Sequence, residues 1–103
     1  MIHATFRKES NLVTSFTIKG HASYAKYGQD IVCAAVSSIS LATVNSLLKY
    51  TYLEVSESSG YLSVDLSIPD EVEKYKAVEV LLDLLYTHLI NLASIYPENI
   101  VVD

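Results

Sequence analysis

Ile2, Ala4 and Phe6 alternate with His3, Thr5 and Arg7 at the start of the chain. After the polar turn Glu9-Ser10-Asn11 the alternation resumes, with Leu12, Thr14, Phe16 and Ile18 on one side and Val13, Ser15, Thr17 and Lys19 on the other. A period of two sends successive side chains to opposite faces of a strand, so these runs predict a β-hairpin with one buried face. From Gly20 to Gln29 the periodicity is lost, and the stretch reads as a loop. Asp30 then stands where a helix N-cap is expected, because its carboxylate can accept the free N–H groups of the following turn. The predicted helix runs from Ile31 to about Tyr50. It is apolar nearly all round (Ile31, Val32, Ala34, Ala35, Val36, Ile39, Leu41, Ala42, Val44, Leu47, Leu48), which implies cover on more than one side.

Two further strand-like runs, Thr51 to Glu57 and Tyr61 to Ile68, flank Ser58-Ser59-Gly60. Leu62, Val64, Leu66 and Ile68 share one face of the second run. Pro69-Asp70-Glu71 opens a second helix with the residue types a helix N-terminus favours. Its apolar stripe passes through Val72, Tyr75, Val78, Leu82, Leu85, Leu89 and Leu92 towards Ile95. Pro97 closes the region, and Asn99 to Val102 is a candidate short last strand. The order ββαββα, with that final strand, predicts an α+β two-layer sandwich whose helices pack on one face of a mainly antiparallel sheet. No repeat, linker or low-complexity tract divides the chain, so residues 1–103 are expected to form a single domain.

Composition narrows the function classes. Half of the 103 residues are apolar and 18% are charged, which favours an ordered globule over a disordered chain. The first residues carry no signal-peptide pattern. The longest apolar stretches are interrupted by Ser, Asn, Asp and His, so no membrane span is expected. One cysteine allows no intramolecular disulfide, which suits a reducing cytoplasm. The net charge of −5 and the scattered Lys and Arg give no footprint for direct nucleic-acid binding. They would weakly steer a basic peptide, or merely keep the protein soluble.

The chemistry concentrates between Gly20 and Ser37, which hold His21, the single cysteine Cys33 and two of the three glycines. With Asp30 as N-cap, Cys33 takes the third helical position, where unpaired N–H groups and the helix dipole favour a thiolate. A nearby imidazole would stabilise that thiolate or take its proton. The same N–H groups are candidates for holding a developing oxyanion. Ala34 and Ala35 leave room for a peptide backbone to reach the sulfur. Asp30 would oppose ionisation of Cys33, or orient His21, or simply cap the helix; capping needs no further assumption. From the residues alone, Cys33 also reads as a small buried hydrophobe and His21 as an ordinary loop residue.

The run Gly20-His21-Ala22, Gly28, Asp30-Ile31-Val32-Cys33-Ala34-Ala35-Val36-Ser37 resembles the signature of the ribosomal-processing cysteine proteases, and length and element order agree over the whole chain. The resemblance implies Cys33 as nucleophile and His21 as general base. It makes Gly20 and Gly28 the bounds of a mobile loop that closes over substrate. It also implies the substrate, an N-terminal extension of a large-subunit ribosomal protein that is apolar and aromatic before its basic residues. Tyr24 and Tyr27 are then expected substrate contacts beside Ala34. The family's homodimers would account for the over-apolar first helix.

Ser37 lies one turn beyond Cys33, either supporting the site by a hydrogen bond or bonding back to the Cys33 carbonyl. His3 is expected to be solvated and His88 to be a core or interface residue. No close-spaced ligand set points to a metal, and the glycine positions exclude a phosphate loop. The expected reaction is cofactor-free peptide-bond hydrolysis through an acyl-enzyme. The alternatives are a ribosome-associated peptide-binding module without catalysis and a small thiol amidase with the same dyad. Thiol titration would separate the module from both enzymes, and substrate tests would separate protease from amidase.

Overall fold

The computed structural model describes residues 1–103. Strands β1 (Ile2–Glu9) and β2 (Leu12–Lys19) form the expected hairpin, with His3 opposite Lys19 and Phe6 opposite Phe16. A register shift between Arg7 and Lys8 bends it near the turn. Helix α1 spans Ile31–Leu47, strands β3 (Leu53–Ser58) and β4 (Tyr61–Leu66) form a second hairpin, α2 spans Val72–Ile95 and β5 spans Ile100–Val102. The five-stranded sheet has the order β3-β4-β2-β1-β5, antiparallel throughout except for the parallel β1–β5 pair. The predicted ββαββα order with its short final strand is the order found.

The period of two decides which sheet face is covered. Ile2, Ala4, Leu12, Phe16, Ile18, Leu62, Val64 and Leu66 are buried, and so are Val78, Leu82, Leu85 and Leu89 from α2. Lys19, Glu54 and Asp65 are exposed, and Thr17 and Ser63 share a hydroxyl–hydroxyl bond of 3.3 Å. From α1 come Val32, Val36, Val44 and Leu47. The cover over α1 is narrower than its composition suggests. Ile31, Leu41 and Leu48 are about half exposed, at 56%, 47% and 55%, so the helix has one packed face and one open apolar face.

Boundaries differ from expectation by a few residues, for local reasons. Helix α1 stops at Leu47 rather than near Tyr50 because Lys49, Tyr50 and Thr51 turn back onto Ser46 and Leu47 carbonyls. Thr51 Oγ1 also donates to the Ser67 carbonyl, drawing the chain onto the second hairpin. Helix α2 begins at Val72, and its first turn carries the exposed Glu71–Lys74 ion pair at 3.0 Å. Contrary to the sequence expectation, α2 is long and apolar enough by length and composition to cross a bilayer. In this fold it lies along the sheet with Val78, Leu82, Leu85 and Leu89 inward.

Candidate active site

The segment linking β2 to α1 is held by Asp30. Its side chain is nine-tenths buried. One carboxylate oxygen accepts the N–H groups of Val32 and Cys33, each at 3.0 Å, and the other accepts those of Tyr24 and Ala25 at 2.9 and 3.2 Å. Burial alone would raise the carboxyl pKa, but the N–H groups of Cys33, Ala25, Tyr24 and Val32 outweigh it and hold the group below its usual range. Asp30 is therefore an N-cap that also folds the preceding loop back over the helix start, and all four of its side-chain bonds go to backbone.

This bonding changes one expectation. The N–H groups of Val32 and Cys33 are taken by the Asp30 carboxylate, and that of Ala34 by the Asp30 carbonyl at 3.0 Å. The first turn of α1 thus keeps those amides for its own cap rather than for an oxyanion. The thiol receives a different donor: the Ala22 N–H points at Cys33 Sγ over 3.3 Å. Ala22 is itself fixed, since its carbonyl accepts from Asn99 Nδ2 at 3.0 Å, across 77 positions of sequence.

His21 precedes Ala22 and is exposed. No hydrogen bond joins its ring to Cys33; the ring lies over the β3–β4 turn instead. A Cβ built on Gly60 would stand 2.6 Å from His21 Nε2, so only glycine leaves room for the imidazole there. Gly60 also takes a φ of +68°, and its carbonyl accepts the Gly20 N–H at 2.8 Å. Gly20 has a packing requirement of its own: a Cβ there would fall 2.2 Å from the Met1 carbonyl oxygen. Gly28 has a φ of +85° and open space around it.

His21, Cys33, Asp30, Ser37 and Gly60 line one groove of about 700 Å³ between α1 and the β3–β4 turn. Gly20, Gly28, Tyr27 and Ala34 line it too, whereas Ala35 lies outside. Tyr24 is also outside, because its ring packs edge-on against Tyr96 with centroids 5.4 Å apart. Ser37 is exposed and makes no bond back to the Cys33 carbonyl. His3 is exposed on β1, and His88 is half-buried on α2. Sequence reasoning missed Gly60 and Asn99, which brace the segment from two distant turns. Only the Ser-Ser-Gly turn composition hinted at the first, and nothing local signalled the second.

The family model of the cysteine protease Prp matches residues 1–101. The chain belongs to the Prp cysteine protease family. A Bacillus subtilis ribosomal processing cysteine protease Prp is 28% identical over 97% of this chain and 94% of its own length. A Mycoplasma genitalium protein of the same name is 32% identical, covering 90% of this chain and 91% of its own. The crystal structure of the essential Staphylococcus aureus ribosomal processing protease Prp, in complex with a covalently linked product peptide, superposes with a TM-score of 0.88. It is 23% identical and covers 100% of this chain and 98% of its own, and that likeness establishes the shared fold. As a Prp member the protein is a cysteine protease, and its single cysteine, Cys33, lies in the groove.

Proposed function

We propose that Cys33 is the nucleophile of this Prp protease, that His21 is its general base, and that the substrate is the N-terminal extension of a large-subunit ribosomal protein. The observation that carries the reading is the Ala22 N–H bond to Cys33 Sγ. It holds the residue after His21 against the Cys33 sulfur. His21 takes the Cys33 proton and the thiolate adds to the scissile carbonyl carbon. The C–N bond then breaks as the imidazolium protonates the leaving amine, and water hydrolyses the thioester. The ring moves from its rest over Gly60 to within reach of the sulfur when peptide is bound, since catalytic hydrogen bonds often tighten only in the complex. Ser37 supports the groove wall, and Tyr27 and Ala34 meet the peptide. Tyr24 braces the loop through Tyr96, and Gly20 and Gly28 bound the part that closes. The groove's Glu57, with the net charge of −5, suits a peptide that ends in basic residues.

The enzyme works in the cytoplasm as a homodimer, and the open face of α1, with Ile31, Leu41 and Leu48, is the apolar surface that supports this. The B. subtilis and M. genitalium relatives are named for ribosomal processing, which supports the substrate assignment. The test is incubation of a peptide carrying that extension with wild type and with Cys33→Ala, with products read by mass spectrometry. A single cut by wild type and none by the variant is expected; turnover by Cys33→Ala would overturn the assignment.

A further inference from the structure

Attack by Cys33 puts negative charge on the scissile carbonyl oxygen, and a donor must meet that charge. The amides around the groove are largely spent. Those of Val32, Cys33 and Ala34 serve the Asp30 cap, that of Ala25 serves the second Asp30 oxygen, and that of Gly20 serves the Gly60 carbonyl. The Ala22 N–H is the one aimed at the reacting atom itself, 3.3 Å from Cys33 Sγ. An oxyanion forms two bonds away from that sulfur, so the same N–H is within reach of it, where about 3 Å is needed.

The Ala22 unit is held from both sides. It is 1% exposed, and its carbonyl accepts from Asn99 Nδ2 at 3.0 Å. Asn99 is pinned through its own backbone: its N–H donates to the Tyr96 carbonyl at 3.0 Å, and its carbonyl accepts the Ile2 N–H at 2.9 Å. Ser23, the next residue along the loop, takes a left-handed φ of +56°, which a non-glycine residue keeps only where its surroundings hold it. Beyond it the Tyr24 N–H is bound by Asp30.

We infer that the Ala22 N–H is the catalytic group that binds the oxyanion, and that Asn99 is its positioning residue. The Cys33 thiolate adds to the carbonyl carbon, the C=O electron pair passes to oxygen, and the Ala22 N–H bonds that oxygen. As the C=O re-forms the C–N bond breaks, and the amine leaves with the proton that His21 took from Cys33. Asn99 keeps the Ala22 backbone from turning away during these steps, so the donor is in place before the charge appears. The inference rests on the reading of Cys33 as nucleophile.

The experiment compares turnover with alkylation of Cys33 by iodoacetamide, which needs the thiolate but builds no oxyanion. One variant is a full-length chain with lactic acid in place of Ala22, so that an ester replaces the His21–Ala22 amide and that N–H is lost; residues 1–32 are synthesised and ligated to 33–103 at Cys33. Its kcat on the extension peptide should fall about a hundredfold, with KM and alkylation unchanged. Asn99→Leu, which keeps the size and loses the donor, should lower kcat by about tenfold with alkylation again unchanged. Asn99→Asp, of equal shape, takes its place if Asn99→Leu does not fold. Introduced into the ester chain, the Asn99 substitution should cost nothing further, because the group it positions is already gone. Full kcat in the ester chain, or alkylation falling in step with turnover, would overturn the oxyanion assignment and leave Cys33 as nucleophile. An additive loss on combining the two changes would overturn the positioning role of Asn99. A cut that survives in Cys33→Ala would remove the nucleophile reading and the inference with it.

Discussion

Asp30 serves four backbone donors with one carboxylate, and that makes it the residue on which the site most depends. Removing it leaves the N–H groups of Val32, Cys33, Tyr24 and Ala25 without partners at a nine-tenths buried position. Asp30→Ala should cost about 3 kcal/mol in denaturant unfolding, more than an ordinary cap because the loop is released as well. The pH dependence follows from the lowered pKa. The stabilisation is fully present above the unfolded carboxyl value of about 4 and is lost as pH falls through the folded value. Acid titration of stability should therefore show a wild-type loss below about pH 4 that is shallower in Asp30→Ala. A cap of this kind was readable in the sequence, since an aspartate before an apolar helical run has few other uses. Its grip on Tyr24 and Ala25 was not, because that needs the loop to double back, and the loop residues carry no period.

At the scale of elements, the loop between β2 and α1 is held from two sides. The β3–β4 turn contributes Gly60, under His21 and bonded to Gly20; the turn after α2 contributes Tyr96 and Asn99, against Tyr24 and Ala22. Gly60→Ala makes the first brace testable. Its left-handed φ of +68° costs a non-glycine residue about 1 kcal/mol, and the new Cβ must push the imidazole aside, since the ring end can move where backbone cannot. The expected result is a folded protein, slightly less stable in denaturant, whose kcat falls tenfold or more while KM changes little, because the proposed base is displaced and the proposed peptide contacts remain. Full activity in a folded Gly60→Ala would show that His21 does not need this seat. Strand pairs and helices were legible from periodicity, and so was the neighbourhood of the proposed dyad, since His21, Asp30 and Cys33 share one short segment. Gly60, read only as a turn residue, and Asn99, read as the start of a strand, act across the fold. Single-sequence patterns report local geometry, and these contacts exist only once the sheet has assembled.

For the whole molecule, the open face of α1 is one apolar surface that a single chain leaves uncovered, alongside Val80, Leu84 and Ile90 on α2. Sequence suggested cover on more than one side, and the fold supplies it on one side only, with Leu48 left 55% exposed. If two copies meet there, Leu48→Glu places a charge in the interface. Sedimentation should then show a monomer where wild type sediments as a dimer, and thermal stability should become independent of protein concentration. A dimer persisting in Leu48→Glu would move the interface elsewhere. Leu41 belongs both to this face and to the groove. Association at α1 would thus narrow or shape the peptide site, and the same variant should alter KM as well as mass.

The bond from Ala22 to the sulfur has one more consequence. A thiol or thiolate accepts that proton, but once the sulfur carries an acyl group or an alkylating label it is a much poorer acceptor. The Ala22 amide is therefore a resident probe of Cys33. Its proton resonance and its exchange with deuterated solvent should change when the sulfur is occupied and return when it is freed. Acylation, turnover and inhibition could then be followed at one backbone position, with no reporter attached to the enzyme.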